Sequence, residues 1–206
     1  MSFQQEKFTE IAKAIRSKLG TTEKIKPSDF ASKISEIQGG GNFMDDYQEG
    51  GNRESYLYAF YGWKDEWFKP NYDFTCSRAY AMFNASTIKT IDKTLDFSQM
   101  TGYWADAQIF QGCSNLETIT EIKICEQNQY TNWFKNCTAL KNITFSGTIG
   151  QSIDFSNSPL LSADSIANIV EHLATVSVKT TITINSAIDM SAYKSTIEGK
   201  GWTLVQ

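Results

Sequence analysis

The spacing of hydrophobic residues changes character twice along the chain. In EKFTEIAKAIRSKLG, Phe8, Ile11, Ala12, Ile15 and Leu19 recur at intervals of three and four. That predicts one apolar stripe on a helix of roughly 15 residues. Gly20 is placed to end it, because glycine accepts the left-handed conformation that closes many helices. After TTEKIK, Pro27 suits the first turn of a second helix, where its missing N–H costs nothing. Phe30, Ile34 and Ile37 form that helix's stripe, which stops at GGG, residues 39–41. Two helices this short bury little by themselves. Residues 1–38 are therefore expected to form a helical hairpin whose apolar faces meet a second subunit, a partner or the rest of the chain. Residues 39–52, GGGNFMDDYQEGGN, carry glycines and acids but no period, and read as a linker.

A third pattern begins after residue 53. IFQGCSNLETI and WFKNCTALKNI place Phe110, Cys113, Leu116 and Ile119 against Phe134, Cys137, Leu140 and Ile143, 24 residues apart. A partial copy precedes them at Phe83, Ser86, Ile88 and Ile91, with one residue deleted before Ile88. Another follows at Phe155, Ser158 and Leu161, and a degenerate one lies at Phe60. Self-similarity at this period means stacked units, in which equivalent side chains form ladders through a common core. Phe, Leu and Ile suit such ladders, and a thiol or hydroxyl suits a small buried position. The runs ITEIKI (119–124) and ITFSGTI (143–149) are expected to pair as parallel strands. Residues 53–161 thus read as a short solenoid. In 162–206, Ser162 caps a helix with Ile166, Ile169, Val170 and Leu173 inward. KTTITIN (179–185) alternates as a strand, and a helix, a turn at Gly199–Gly201 and a strand Trp202–Val205 close the chain. This segment reads as a cap, since an open stack exposes apolar surface and strand edges. The fold class expected is α+β.

Composition narrows the function. The chain of 206 residues carries a net charge of −4 and no run of Lys/Arg, which argues against a nucleic-acid surface. No apolar run approaches the roughly 20 residues that cross a bilayer, and MSFQQEKFTEIAKAI lacks the apolar core of a secretory signal. Synthesis in a cytoplasm and release by another route, such as host lysis, is expected. Cys76, Cys113, Cys125 and Cys137 form no C-x-x-C pair, so free thiols and no zinc site are expected. The acids Asp45, Asp46 and Glu49 lack the EF-hand arrangement. His172 is the sole histidine and sits on a predicted helix. No nucleotide or hydrolase motif occurs. No cofactor, metal or catalytic residue is assigned.

The strongest candidate site is the aromatic block 56–74. Tyr56, Tyr58, Tyr61, Trp63, Trp67, Phe68 and Tyr72 outnumber what one small core face needs. Trp and Tyr bring large rigid area to binding hot spots and stack on sugar rings. The other reading of the block is cover for the open end of the stack. Tyr103, Trp104, Tyr130 and Trp133 precede the repeat phenylalanines, and either extend that surface or form a second layer of core.

The F-x-x-C-x-x-L-x-x-I pattern over about residues 80–161 resembles the BspA-like leucine-rich repeats. The stretch IAKAIRSKLGTTEKIKPSDFASKISEI, followed by a glycine linker, resembles the N-terminal segment of bacteriophage tail and baseplate-associated proteins. The closing helix–strand–helix–GWTL resembles the terminal module of repeat proteins from phage tails and gut bacteria. Together these imply a non-enzymatic virion protein, mounted and oligomerised through residues 1–38. Its leucine-rich-repeat head would bind a bacterial surface glycan or protein. Alternatives are a structural virion component, a bacterial BspA-like adhesin, an intracellular phage or prophage inhibitor of a host protein, and last a glycan-degrading enzyme.

Overall fold

The computed structural model describes residues 9, 11–17, 22–26, 52–100 and 108–206. The chain divides into two compact units, Met1–Glu49 and Gly50–Gln206. In the first, residues 11–17 are helical, with Ala12 and Ile15 buried and Ile11 exposed. The second predicted helix and the linker up to residue 51 lie outside the described residues. Asn52, expected to end the linker, instead opens the first strand.

The second unit is mixed α and β with parallel strands. Its first sheet has five strands in sequence order: β1 (Asn52–Ser55), β2 (Phe74–Arg78), β3 (Thr90–Asp96), β4 (Thr118–Lys123) and β5 (Asn142–Ser146). A three-stranded sheet follows: β6 (Ile153–Phe155), β7 (Thr180–Ile184) and β8 (Trp202–Val205). Every pairing is parallel and neither sheet closes into a barrel. Helix α1 (Ala163–His172) joins β6 to β7, and α2 (Lys194–Gly199) precedes β8.

Register follows the sequence pattern. Ile91 pairs with Ile119, and Ile119 with Ile143. Leu95, Ile122 and Phe145 make a second buried row. Alternate residues point outward, so one sheet face is apolar and buried while the other is polar. Parallel sheets are usually covered on both faces. Here the outer one is left to Thr, Lys and acidic residues, including a Lys123–Asp96 pair at 3.0 Å and a Thr94–Glu121 hydrogen bond at 2.7 Å.

The core is organised around aromatic rings. Phe60, Phe83, Phe110, Phe134 and Phe155 stack in sequence, with centroids 5.0, 5.5, 5.6 and 4.6 Å apart and planes within 18°. Each of these residues is essentially inaccessible to solvent. Left-handed residues bracket the first four rings: Tyr58 and Gly62, Ala81 and Ala85, Gln108 and Gly112, Asn132 and Asn136. These reversals turn the backbone amides along the stack. Tyr58, Phe60 and Gly62 donate to the carbonyls of Tyr80, Met82 and Asn84, and Gln108, Phe110 and Gly112 donate to Thr131, Trp133 and Lys135.

The position three residues after each phenylalanine, small in every copy but the first, has a defined task. Its backbone N–H closes a tight turn onto the phenylalanine carbonyl at 60, 83, 110, 134 and 155. The Cys113 thiol donates to Phe83 O at 2.9 Å, and the Cys137 thiol to Phe110 O at 3.1 Å. In the last copy Ser158 Oγ donates to Cys137 O at 3.2 Å. Burial of a polar side chain is tolerated because it finds an acceptor. Asn128, fully buried, likewise donates to the carbonyls of Phe97 and Met100 and accepts from Cys125 N–H. Beyond β5, Gly147 lies at φ 95°, where a Cβ would meet Ile124 O at 2.0 Å, so the chain can cross there only with glycine.

Helix α1 closes the free edge of β5 through its side chains. Ile143 N–H donates to Ser165 Oγ at 2.9 Å. Phe145 N–H donates to Asn168 Oδ1 at 2.7 Å, and Asn168 Nδ2 returns a bond to Phe145 O at 3.2 Å. The Asn168 amide thus stands in for one residue of a sixth strand. Ser162 caps the helix by accepting from Ser165 N–H. At its other end the Lys200 ammonium donates to the carbonyls of Val170, Glu171 and Leu173 at 2.8–2.9 Å, where a cation also suits the helix dipole.

Two outcomes test this account. Phe110→Ala removes a ring flanked on both sides and should lower unfolding stability by about 4 kcal/mol in urea titration. Asn168→Leu keeps volume but orphans both backbone groups of Phe145. A loss of about 2 kcal/mol is expected, together with faster amide hydrogen exchange at Phe145.

Candidate binding surface

The aromatic block 56–74 folds into the first layer and splits into two sets. Tyr56, Trp63 and Phe68 are buried. Phe68 meets Phe60 edge-on at 5.2 Å and stacks on Phe74 at 5.9 Å. Trp63 meets Phe60 at 4.9 Å, and Tyr56 meets Phe74 at 5.5 Å. These rings cover Phe60, the first member of the stack. Their faces are taken by core neighbours. Tyr72 is half-buried against Phe74.

Tyr130 and Trp133 are also core, at 3% and 0% exposure. Trp133 makes edge contacts with Phe97, Phe110 and Tyr130. They form a second column of core. Tyr103 and Trp104 lie outside the described residues.

The exposed set is Tyr58, Tyr61 and Trp67, at 55%, 53% and 38% exposure. Tyr58 meets Tyr61 at 6.0 Å and Tyr80 at 5.4 Å, both edge-on. The Lys64 ammonium sits 5.1 Å over the Trp67 ring. Beside Tyr58 is an open cavity of about 340 Å³ lined by Leu57, Tyr58, Arg78 and Tyr80. The left-handed φ of 55° at Tyr58 comes with a bond from its N–H to Tyr80 O at 2.9 Å. That conformation is uncommon for a bulky residue, and here the interlayer hydrogen bonding imposes it. Partial desolvation, then the neighbouring Tyr80 hydroxyl, raise the pKa of Tyr58 above the ordinary phenol value.

Leu57, Arg78 and Tyr80 were not among the residues singled out from the sequence. The signal was available: Leu57 and Tyr80 both stand three residues before a stacked phenylalanine. Aligning the Phe60 copy with the Phe83 copy brings them together.

The cysteines are chemically quiet. Burial pushes the Cys76 thiol up to about 12 and Cys113 up to about 11, and raises Cys137 as well. A thiol is a nucleophile only as thiolate, so none of these three attacks a substrate near neutral pH. All four cysteines are free, and Cys125 alone is partly exposed. His172 Nδ1 lies 2.9 Å from Asn168 O, within its own helix. Among the described residues no three His, Cys, Asp or Glu side chains converge on a metal position, and no helix is long and apolar enough to cross a membrane.

Comparison with known families, characterised proteins and solved structures finds no match.

The thiol environment has a measurable consequence. At pH 8 an aromatic disulfide reagent should modify one thiol, Cys125, and all four after denaturation. The raised folded-state values mean that unfolding releases protons above the ordinary thiol value of 9.0. Stability attributable to these groups should therefore be complete below that pH and fall as pH rises toward 11–12, which alkaline urea titrations measure.

Proposed function

We propose that this chain is a non-enzymatic recognition protein of a bacteriophage tail. In this reading residues 53–161 are a leucine-rich-repeat solenoid of the BspA-like kind and 162–206 its cap. Residues 1–38 dock the protein on the virion and join copies of it. The head binds a glycan or protein of the bacterial surface. The solenoid reading is supported by the continuous five-ring stack, the parallel in-order strands and the matched left-handed residues around the rings.

The observation that carries the recognition reading is the exposed tyrosine cluster on the first layer. Core needs are already met by Tyr56, Trp63 and Phe68, yet Tyr58 and Tyr61 stand in solvent beside a cavity that also presents Arg78. Exposed large aromatics next to an arginine are the composition of binding hot spots. Their rigid side chains lose little entropy on contact. The layers behind hold them at fixed spacing.

Binding to intact bacterial cells and purified envelopes tests this. The double variant Tyr58→Asn, Tyr61→Ser keeps a residue that accepts the left-handed conformation at 58. It should bind at least about tenfold more weakly with its melting temperature little changed. Light scattering should give a larger assembly for the full chain than for residues 50–206 alone. Retention from cell lysate but not from intact cells would instead favour an intracellular target.

A further inference from the structure

A second concave region lies away from the first-layer tyrosines, where residues 129–132 face β6 and β7. One cavity of about 380 Å³ is lined by those residues, by 151–154 and by Thr181 and Thr183. An adjoining one of about 320 Å³ takes in Lys135, Ser156 and Asn157. Asn132 and Asp154 line both, so the two lie side by side, and together they are called the groove.

The chemistry of the lining is selective. Gln129, Asn132, Gln151, Ser152, Thr181 and Thr183 are neutral groups that donate and accept hydrogen bonds. Among the described residues, Asp154 and Lys135 are the charged ones that line the groove. Its apolar members, Tyr130, Ile153 and Phe134, are buried. The lining is too polar for a hydrophobic ligand, which takes a mostly apolar pocket. One lysine does not draw a polyanion, and the carboxylate opposes it.

The lining is also ordered in space. Asp154 stands in register with Thr183 across β6 and β7, and Ser152 Oγ accepts from Thr181 N–H at 3.0 Å. Ser152 and Asp154 on β6 and its lead-in, with Thr181 and Thr183 on β7, therefore form a grid. Its steps are about 4.8 Å across strands and about 6.6 Å along them. Ser156 N–H donates to Asp154 Oδ1 at 2.7 Å and fixes that carboxylate. Asn136 N–H donates to Asn157 Oδ1 at 3.0 Å and ties the two walls together. A rigid grid of three hydroxyls that donate and accept, with one carboxylate that accepts, is complementary to a chain of hydroxyls. Such preorganisation lowers the ordering cost of binding.

The geometry points to this groove as a binding site for an uncharged oligosaccharide. The site is separate from the first-layer tyrosines and stands whether or not they bind anything.

The full chain, applied to a printed array of neutral hexose and N-acetylhexosamine oligomers, should retain at least one member. Calorimetric titration with that oligomer then gives its affinity. Thr183→Val removes a hydroxyl at nearly constant volume, Asp154→Asn removes the charge, and Asn132→Gly removes an amide where the left-handed φ of 56° suits glycine. Each should weaken binding fivefold or more with the thermal melt preserved, while Tyr58→Asn, Tyr61→Ser leaves it unchanged. Retention of no neutral oligomer, or of anionic ones alone, overturns the proposal. Binding abolished by the tyrosine pair and untouched by the groove variants also overturns it, and assigns the glycan to the first layer instead.

Discussion

The structure depends on a column of five phenylalanine rings, each lying against the next at 4.6–5.6 Å. In the first four layers the backbone reverses at the same points around the ring. The left-handed residues two before and two after the first four rings make that turn. In the central layers a thiol of the next layer adds a second bond to a carbonyl that the tight turn already engages, from Cys113 to Phe83 and from Cys137 to Phe110. Aromatic packing, backbone reversal and side-chain donor thus coincide in the central layers. The donor role explains why a buried position prefers Cys or Ser to a larger apolar group.

A stack of parallel strands has two vulnerable ends, and this chain treats them differently. At β5 the exposed N–H and C=O groups are met by Ser165 and Asn168 of α1, whose C-terminal carbonyls are gathered by Lys200. That is a polar solution to an edge problem. At the first layer the exposed surface is aromatic, and Tyr56, Trp63 and Phe68 cover it edge-on. The covering rings leave Tyr58, Tyr61 and Trp67 outside. The same dense aromatic stretch therefore supplies both a lid for the core and an exposed cluster.

The aromatic stretch could not be divided from sequence because Tyr and Trp serve equally in cores and on surfaces. Tyr56 and Tyr58 are two residues apart, and only the reversal at Tyr58 sends one inward and the other out. The Phe60 copy looked degenerate because Trp63 replaces the small residue and a 3-10 turn, Asp65–Trp67, intervenes before β2. Its ring nevertheless joins the column. The polar groove was not legible either. Gln129, Asp154 and Thr183 belong to three separate segments, and only their stacking makes them neighbours.

The sequence by itself determined the repeat. Phe110, Cys113, Leu116 and Ile119 match Phe134, Cys137, Leu140 and Ile143 because each layer faces the same packing environment, and a repeated environment selects repeated residues. It also determined α1, its serine cap, and the strands β7 and β8, whose periods and turn residues are local signals. Tertiary structure alone decided which aromatics are core, which side chains close the sheet edge, and which polar groups share a groove. Those outcomes depend on contacts between layers more than twenty residues apart, and such contacts leave no mark in local spacing.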